Sequence, residues 1–120
     1  MSKVLIVDDD VAMVNYLGIM LSRLGFKYDS ASSGYDAIEY LKEHHPDIML
    51  IDISLEEVMS GLDLVEILNK DDRTKEIYKV AVSAHVDDES SKTYIKAGFD
   101  ACLKKPLSFQ DLNDLVKNLV

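Results

Sequence analysis

The chain has 120 residues, 48% of them hydrophobic and 29% charged, which is enough to build one core without disulfides or a structural metal. Its formal net charge of −9 repels phosphate backbones, and no Lys/Arg cluster stands out to overcome that, so direct nucleic-acid binding is not expected. No stretch approaches the roughly 18 consecutive apolar residues of a membrane span, the apolar run Val4-Leu5-Ile6-Val7 leads into three aspartates, and Cys102 is the only cysteine; membrane insertion and export are therefore not expected, and a cytoplasmic location is.

Short apolar or β-branched runs alternate with longer stretches in which apolar residues recur three and four apart, the pattern of repeated βαβ units. Val4 to Val7 reads as a first strand ending at Asp8, apolar throughout as a parallel strand covered on both faces should be. Val14, Leu17, Leu21 and Leu24 share one face of a first helix, and Gly25 is placed to end it in the left-handed region. Lys27 to Ala31 is a second, weaker strand. Ser33 with Asp36 has the capping-box pattern ahead of Ala37, Ile38 and Leu41, and His44-His45-Pro46 is read as the stop of that helix. Asp47 to Asp52 reads as a buried central strand that ends on a carboxylate.

Beyond a loop through Gly61, the residues Leu64, Val65, Ile67 and Leu68 indicate a third helix, and Val80 to Ser83 a fourth strand. Asp87 to Ala97 is a polar, marginal helix closed by Gly98, with an acidic start that suits the helix dipole. Ala101 to Lys104 makes a short fifth strand, read as central and burying Cys102 as a small hydrophobe. Pro106 turns the chain, and Ser108 with Asp111 caps a last helix presenting Leu112, Leu115, Val116 and Leu119. The expectation is one domain over residues 1–120, an α/β fold of five parallel strands with right-handed crossovers, and a ligand site at the carboxyl ends of the strands.

Polar residues collect at that end. Asp8 and Asp9 follow the first strand, Asp52 ends the third, Ser83 ends the fourth, and Lys105 follows the fifth. Singly, each has a plain structural explanation: aspartates start helices, serines end strands, and lysines beside turns are solvated. Together, three carboxylates in a small volume repel one another, and a divalent cation relieves that repulsion. Few carboxylates with several waters is what Mg2+ prefers, its coordination commonly completed by phosphate oxygen. In phosphoryl transfer the protein mainly positions groups and neutralises charge, and a carboxylate can be the nucleophile. Asp52 is placed for that role.

With these motifs the sequence resembles the receiver-domain family (chemotaxis-regulator-like) of two-component response regulators over essentially all 120 residues. Val4-Leu5-Ile6-Val7-Asp8-Asp9-Asp10 is similar to the family's opening strand and acidic pair, Asp47 to Asp52 to its phosphoacceptor strand, and Lys105-Pro106 to its lysine–proline turn. The resemblance implies a doubly wound, flavodoxin-like sheet of order 2-1-3-4-5. It also implies Mg2+ held by Asp9 and Asp52 directly, by Asp8 through water and by the backbone carbonyl of Ser54. Asp52, Ser83 and Lys105 would be catalytic, with Ser83, Ala84 and Lys105 contacting the phosphoryl oxygens, a cis Lys105-Pro106 bond, and the side chains of Ser54 and His85 tuning hydrolysis. A sensor histidine kinase or histidine phosphotransfer protein would be the donor, and a downstream protein target of unknown identity the recipient of the signal.

Three departures from the family pattern matter. Leu55-Glu56-Glu57 lacks the usual proline, and Gly61 stands nine positions after Asp52 rather than eight, so the loop beside the site is expected to be one residue longer. Cys102 occupies the switch position where the family commonly has Tyr or Phe, leaving activation either muted or carried mainly by Ser83 and the polar fourth helix. Ser83 stands where threonine is commoner, keeping the hydroxyl without the methyl that restricts its rotamer. His44 and His45 read as a solvated helix end, since adjacent helical residues point about 100° apart and lack the geometry of a metal pair. Against the phosphorylation-controlled module stands a phosphorylation-independent docking module of the same fold. A hydrolase would need a turnover base and a substrate pocket that the pattern does not supply, and a flavodoxin-like cofactor binder would need a neutral phosphate loop in place of Asp8-Asp9-Asp10.

Overall fold

The computed structural model describes residues 3–55 and 58–119. In chain order these form β1 (Lys3–Val7), α1 (Val11–Arg23), β2 (Lys27–Ala31), α2 (Gly34–Leu41), β3 (Ile48–Asp52), α3 (Gly61–Asn69), β4 (Tyr78–Ser83), α4 (Asp88–Ala97), β5 (Ala101–Lys104) and α5 (Phe109–Val116). The strands make one parallel sheet of order β2-β1-β3-β4-β5, the doubly wound arrangement expected. Among the described residues, no helix is long and apolar enough to cross a membrane.

The two-residue period of the strands divides the core in two. Leu5, Val7, Met49, Ile51 and Ala81 face α2, α3 and α4, where they meet Ala37, Leu41, Leu64, Leu68 and Tyr94. Val4, Ile6, Ile48, Leu50, Val80 and Val82 face α1 and α5, against Leu17, Leu21, Leu112 and Val116. Burying one such aliphatic side chain stabilises by roughly 1.5–3 kcal/mol, and truncating Leu50 or Leu112 to alanine would cost about 2–5 kcal/mol. Both layers are therefore anchored to the central strands whose carboxyl ends carry the candidate site.

Local chemistry sets the helix ends. Asp10 caps α1 by accepting from the N–H groups of Ala12 and Met13, and Ser60 with Asp63 forms a reciprocal capping box at α3. Asp87 does the same with Ser90 at α4, so the acidic run there is a built helix start. Ser33 accepts from the Asp36 N–H, but the Asp36 carboxylate turns to the Ser32 hydroxyl, 2.8 Å away, so that box is half formed. Gly25 (φ 87°) and Gly98 (φ 120°) follow α1 and α4 in the left-handed region.

Three sequence expectations are corrected. α2 ends at Leu41, in turns accepted by the carbonyls of Glu39 and Tyr40, ahead of Pro46. β5 lies at the sheet edge, as the order 2-1-3-4-5 requires and contrary to its reading as a central strand, so Cys102 is half-buried. Leu119 lies past the end of α5 and is exposed. Glu56 and Glu57, on which part of the longer-loop expectation rests, lie outside the described residues.

Candidate functional site

β1 pairs with β2 on one side and β3 on the other, so strand order reverses between β1 and β3 and a crevice opens beyond their carboxyl ends. Asp8 is the first residue after β1 and Asp52 the last of β3, with Val7 in register with Ile51. Ser83 closes β4 opposite Lys104, and Lys105 follows immediately, its N–H bonded to the Ser83 carbonyl at 2.8 Å. α3 can begin against this edge because Gly61 has no side chain: a Cβ there would stand 2.6 Å from the Asp52 carbonyl oxygen.

Asp8 and Asp52 are each only 4% exposed, while Asp9 is exposed. One oxygen from each of the three lies within 4.8 Å of the others. The Asp52 Oδ1 atom accepts from both the N–H and the hydroxyl of Ser54, each at 3.0 Å, and lies 3.4 Å from Lys105 Nζ. Lys105 is also 3.5 Å from Asp8 Oδ2, and Asp8 Oδ1 accepts the Asp10 N–H at 2.9 Å. Burial holds the Asp8 carboxyl above the usual carboxylate range. The Asp10 N–H bond works against that shift, the Asp52 charge reinforces it, and the Lys105 ammonium opposes it. Three carboxylates around one ammonium leave an excess of negative charge, and this all-oxygen donor set suits a hard divalent cation.

Ser83 is buried, and its Oγ accepts the His85 N–H at 3.1 Å and lies 3.0 Å from the hydroxyl of Tyr94 on α4. Tyr94 also donates to the His85 carbonyl at 3.2 Å. Thus the His85 backbone meets Ser83. The Lys105-Pro106 bond is cis, as the resemblance implied. His44 and His45 are exposed, and His44 stacks on Tyr40. Clefts of about 150 and 250 Å3 open between α2 and α3 and beside Pro46, and neither is lined by Asp8, Asp52 or Lys105.

A family model described as the response regulator receiver domain matches residues 4–117. The chain belongs to this family. It is 30% identical over 116 residues to the polar-differentiation response regulator DivK of Brucella ovis, covering 97% of this chain and 94% of that protein. A putative response regulator from Chloroflexus aurantiacus superposes with a TM-score of 0.91 at 28% identity, over 98% of this chain and 96% of that one. The receiver domain of the sensor histidine kinase PA1611 from Pseudomonas aeruginosa, whose structure has magnesium coordinated in the active-site cleft, superposes with a TM-score of 0.87 at 20% identity, over 98% and 95% of the two chains.

In this receiver domain the fold thus gathers Asp8, Asp9, Asp52, Ser54 and Lys105 at one edge, with Ser83 beside them and the exposed residues Ala84 and His85 following it. Sequence reasoning missed Tyr94, since a lone tyrosine in a polar helical stretch reads as a surface residue. The available signal was the absence of an aromatic at position 102, which leaves the neighbourhood of Ser83 open to a ring from α4. Cys102 packs on the same core face as Tyr94, and burial pushes its thiol up, with a Ser91 hydrogen bond opposing. It is a small apolar filler at the edge.

Proposed function

We propose that this receiver domain accepts one phosphoryl group on Asp52 from a phosphohistidine of a sensor histidine kinase or histidine phosphotransfer protein, and that the change at Asp52 alters the surface offered to a downstream protein target. The observation that carries the reading is the posture of Asp52. Its Oδ1 atom is fixed by two Ser54 donors and lies within reach of the Lys105 ammonium, in a nest of three carboxylates that this one ammonium only partly neutralises.

Asp8, Asp9, Asp52 and the Ser54 carbonyl would hold Mg2+, whose charge, when bound, offsets that on the carboxylates and the incoming phosphoryl oxygens. An oxygen of Asp52 forms a bond to phosphorus as the bond from phosphorus to the donor imidazole nitrogen breaks, and that nitrogen keeps the electron pair. Lys105, the Ser83 hydroxyl and Ala84 contact the phosphoryl oxygens, where fixed donors stabilise charge best because they need no reorganisation. Ser54 and His85 border the path of an attacking water and tune hydrolysis. The cytoplasmic setting expected from composition belongs to the same reading.

Acetyl phosphate or phosphoramidate with Mg2+ should add a single phosphoryl group by intact mass, and Asp52→Asn or EDTA should prevent it. No adduct on the folded wild-type protein would favour the phosphorylation-independent docking module, while sustained turnover of a phosphoester would favour a hydrolase.

A further inference from the structure

The hydroxyls of Ser83 and Tyr94 carry one proton each, and the backbone of His85 determines how they are used. The His85 N–H donates to Ser83 Oγ over 3.1 Å. The His85 carbonyl can only accept, and it takes the Tyr94 proton over 3.2 Å. The two hydroxyls lie 3.0 Å apart and either could donate to the other, but both tyrosine contacts are made at once only when Ser83 is the donor. In that arrangement the serine proton points to α4 and away from an oxygen bound at Asp52.

The surroundings of Tyr94 favour such a coupling. Among the described residues it is the one buried side chain of α4, set edge-on against Phe99 with ring centroids 6.5 Å apart. Cys102 pairs in register with Ala81 and packs in the same core cluster as Tyr94. A small residue on β5 therefore accompanies a phenol supplied by the helix.

We propose that Tyr94 is a positioning residue of this receiver domain, a latch that holds the Ser83 hydroxyl in the unphosphorylated protein and is released when Ser83 turns its proton to a phosphoryl oxygen on Asp52. The inference rests on the phosphoacceptor reading above. It makes α4, whose one buried side chain among the described residues is this ring, the element that senses the departure of the serine.

Beryllofluoride with Mg2+ would be titrated into the wild type, Tyr94→Phe, Ser83→Ala and the double variant, with binding followed by NMR. Tyr94→Phe keeps the ring against Phe99, and the His85 carbonyl keeps the Ser90 hydroxyl as a donor at 3.2 Å, so the fold should persist. Tyr94→Phe should bind about two- to tenfold more tightly than the wild type, the equivalent of one neutral hydrogen bond no longer surrendered. The same change should have no effect when Ser83 is already alanine. An equal effect in both backgrounds would mean a purely structural role and overturn the proposal, as would unchanged or weaker binding by Tyr94→Phe. Urea denaturation of the four metal-free proteins should show a non-additive Ser83–Tyr94 effect, and additivity there would also overturn it. Wild-type protein that bound no beryllofluoride would remove the phosphoacceptor reading and this inference together; wild-type binding without a Tyr94→Phe effect would remove this inference alone.

Discussion

Lys79 and Asp8 are buried charged residues at opposite ends of the same sheet, the first near the amino end of β4 and the second just past the carboxyl end of β1. Lys79 is fully buried, and its ammonium donates to the carbonyls of Ile77 at 2.8 Å and Lys75 at 3.1 Å, closing the segment between α3 and β4. Its backbone exchanges bonds with Asp100, at 2.9 Å to the carboxylate and 2.8 Å from the Asp100 N–H. Asp8 instead faces a second buried carboxylate across the crevice, with one shared lysine at 3.4–3.5 Å. Burial is the first cause of the shift in both, pushing Lys79 down and Asp8 up. The charges of Asp100 and Glu76 partly offset it at Lys79, whereas the Asp52 charge adds to it at Asp8. At the amino end a buried charge is solvated by backbone dipoles. At the carboxyl end the charges are left in conflict, the condition expected of a site that awaits a cation.

The largest effect should come at the amino end. Lys79→Ala removes two hydrogen bonds and leaves a cavity, and urea denaturation should show a loss of about 3 kcal/mol. Lys79→Met keeps most of the packing and isolates the unpaired carbonyls, with a smaller loss of about 1–2 kcal/mol. If Lys79→Met were more stable than the wild type, carbonyl dipoles would not compensate the buried ammonium, and the contrast between the two ends would fail.

At the carboxyl end the sign should reverse. Asp8→Asn should stabilise the metal-free protein by about 1 kcal/mol, since it removes a buried like charge, while weakening Mg2+ binding in a calorimetric titration. Asp9→Asn should weaken Mg2+ binding yet change the metal-free melt by less than about 0.5 kcal/mol, because Asp9 is exposed. Marked destabilisation by Asp8→Asn would show that the Lys105 contact outweighs the repulsion from Asp52.

The smallest effect is in pH dependence, and the two ends should slope in opposite directions. The folded-state value of Lys79 lies below its ordinary 10.5. As pH rises through the interval between the two, the unfolded chain holds a proton that the folded chain has lost, so the wild type gains stability relative to Lys79→Met. The folded-state value of Asp8 lies above its ordinary 3.8. Its contribution is therefore fully present below 3.8 and is lost as pH rises through the folded value, so the metal-free wild type gains on Asp8→Asn only on acidification. Parallel difference curves for the two variants would contradict the assignment of burial as the common cause.

Much of this molecule is legible without coordinates because it follows from neighbours in the chain. Val4 to Val7 and Ile48 to Ile51 are recognisable as parts of covered parallel strands from their unbroken apolar character, and the carboxylates that follow them come from counting. The fourth helix looked marginal because its interior is polar, yet the Asp87–Ser90 box and Gly98 define its two ends. The Tyr78-Lys79 start of β4 was missed, since a lysine beside a tyrosine does not read as a buried strand.

By itself the sequence determined the alternation of strands and helices, the gathering of Asp8, Asp9, Asp52, Ser83 and Lys105 at one end, and the resemblance that links them. These depend on periodicity and on the rule that parallel strands all end on the same side. Tertiary structure alone decided that Asp8 and Asp52 are buried while Asp9 is not, that Cys102 is half-buried, and that Tyr94 reaches back to Ser83 and Lys79 to two loop carbonyls. Each of these depends on how irregular loops return the chain over the sheet, where no repeating pattern ties a residue's position in the sequence to its neighbours in space.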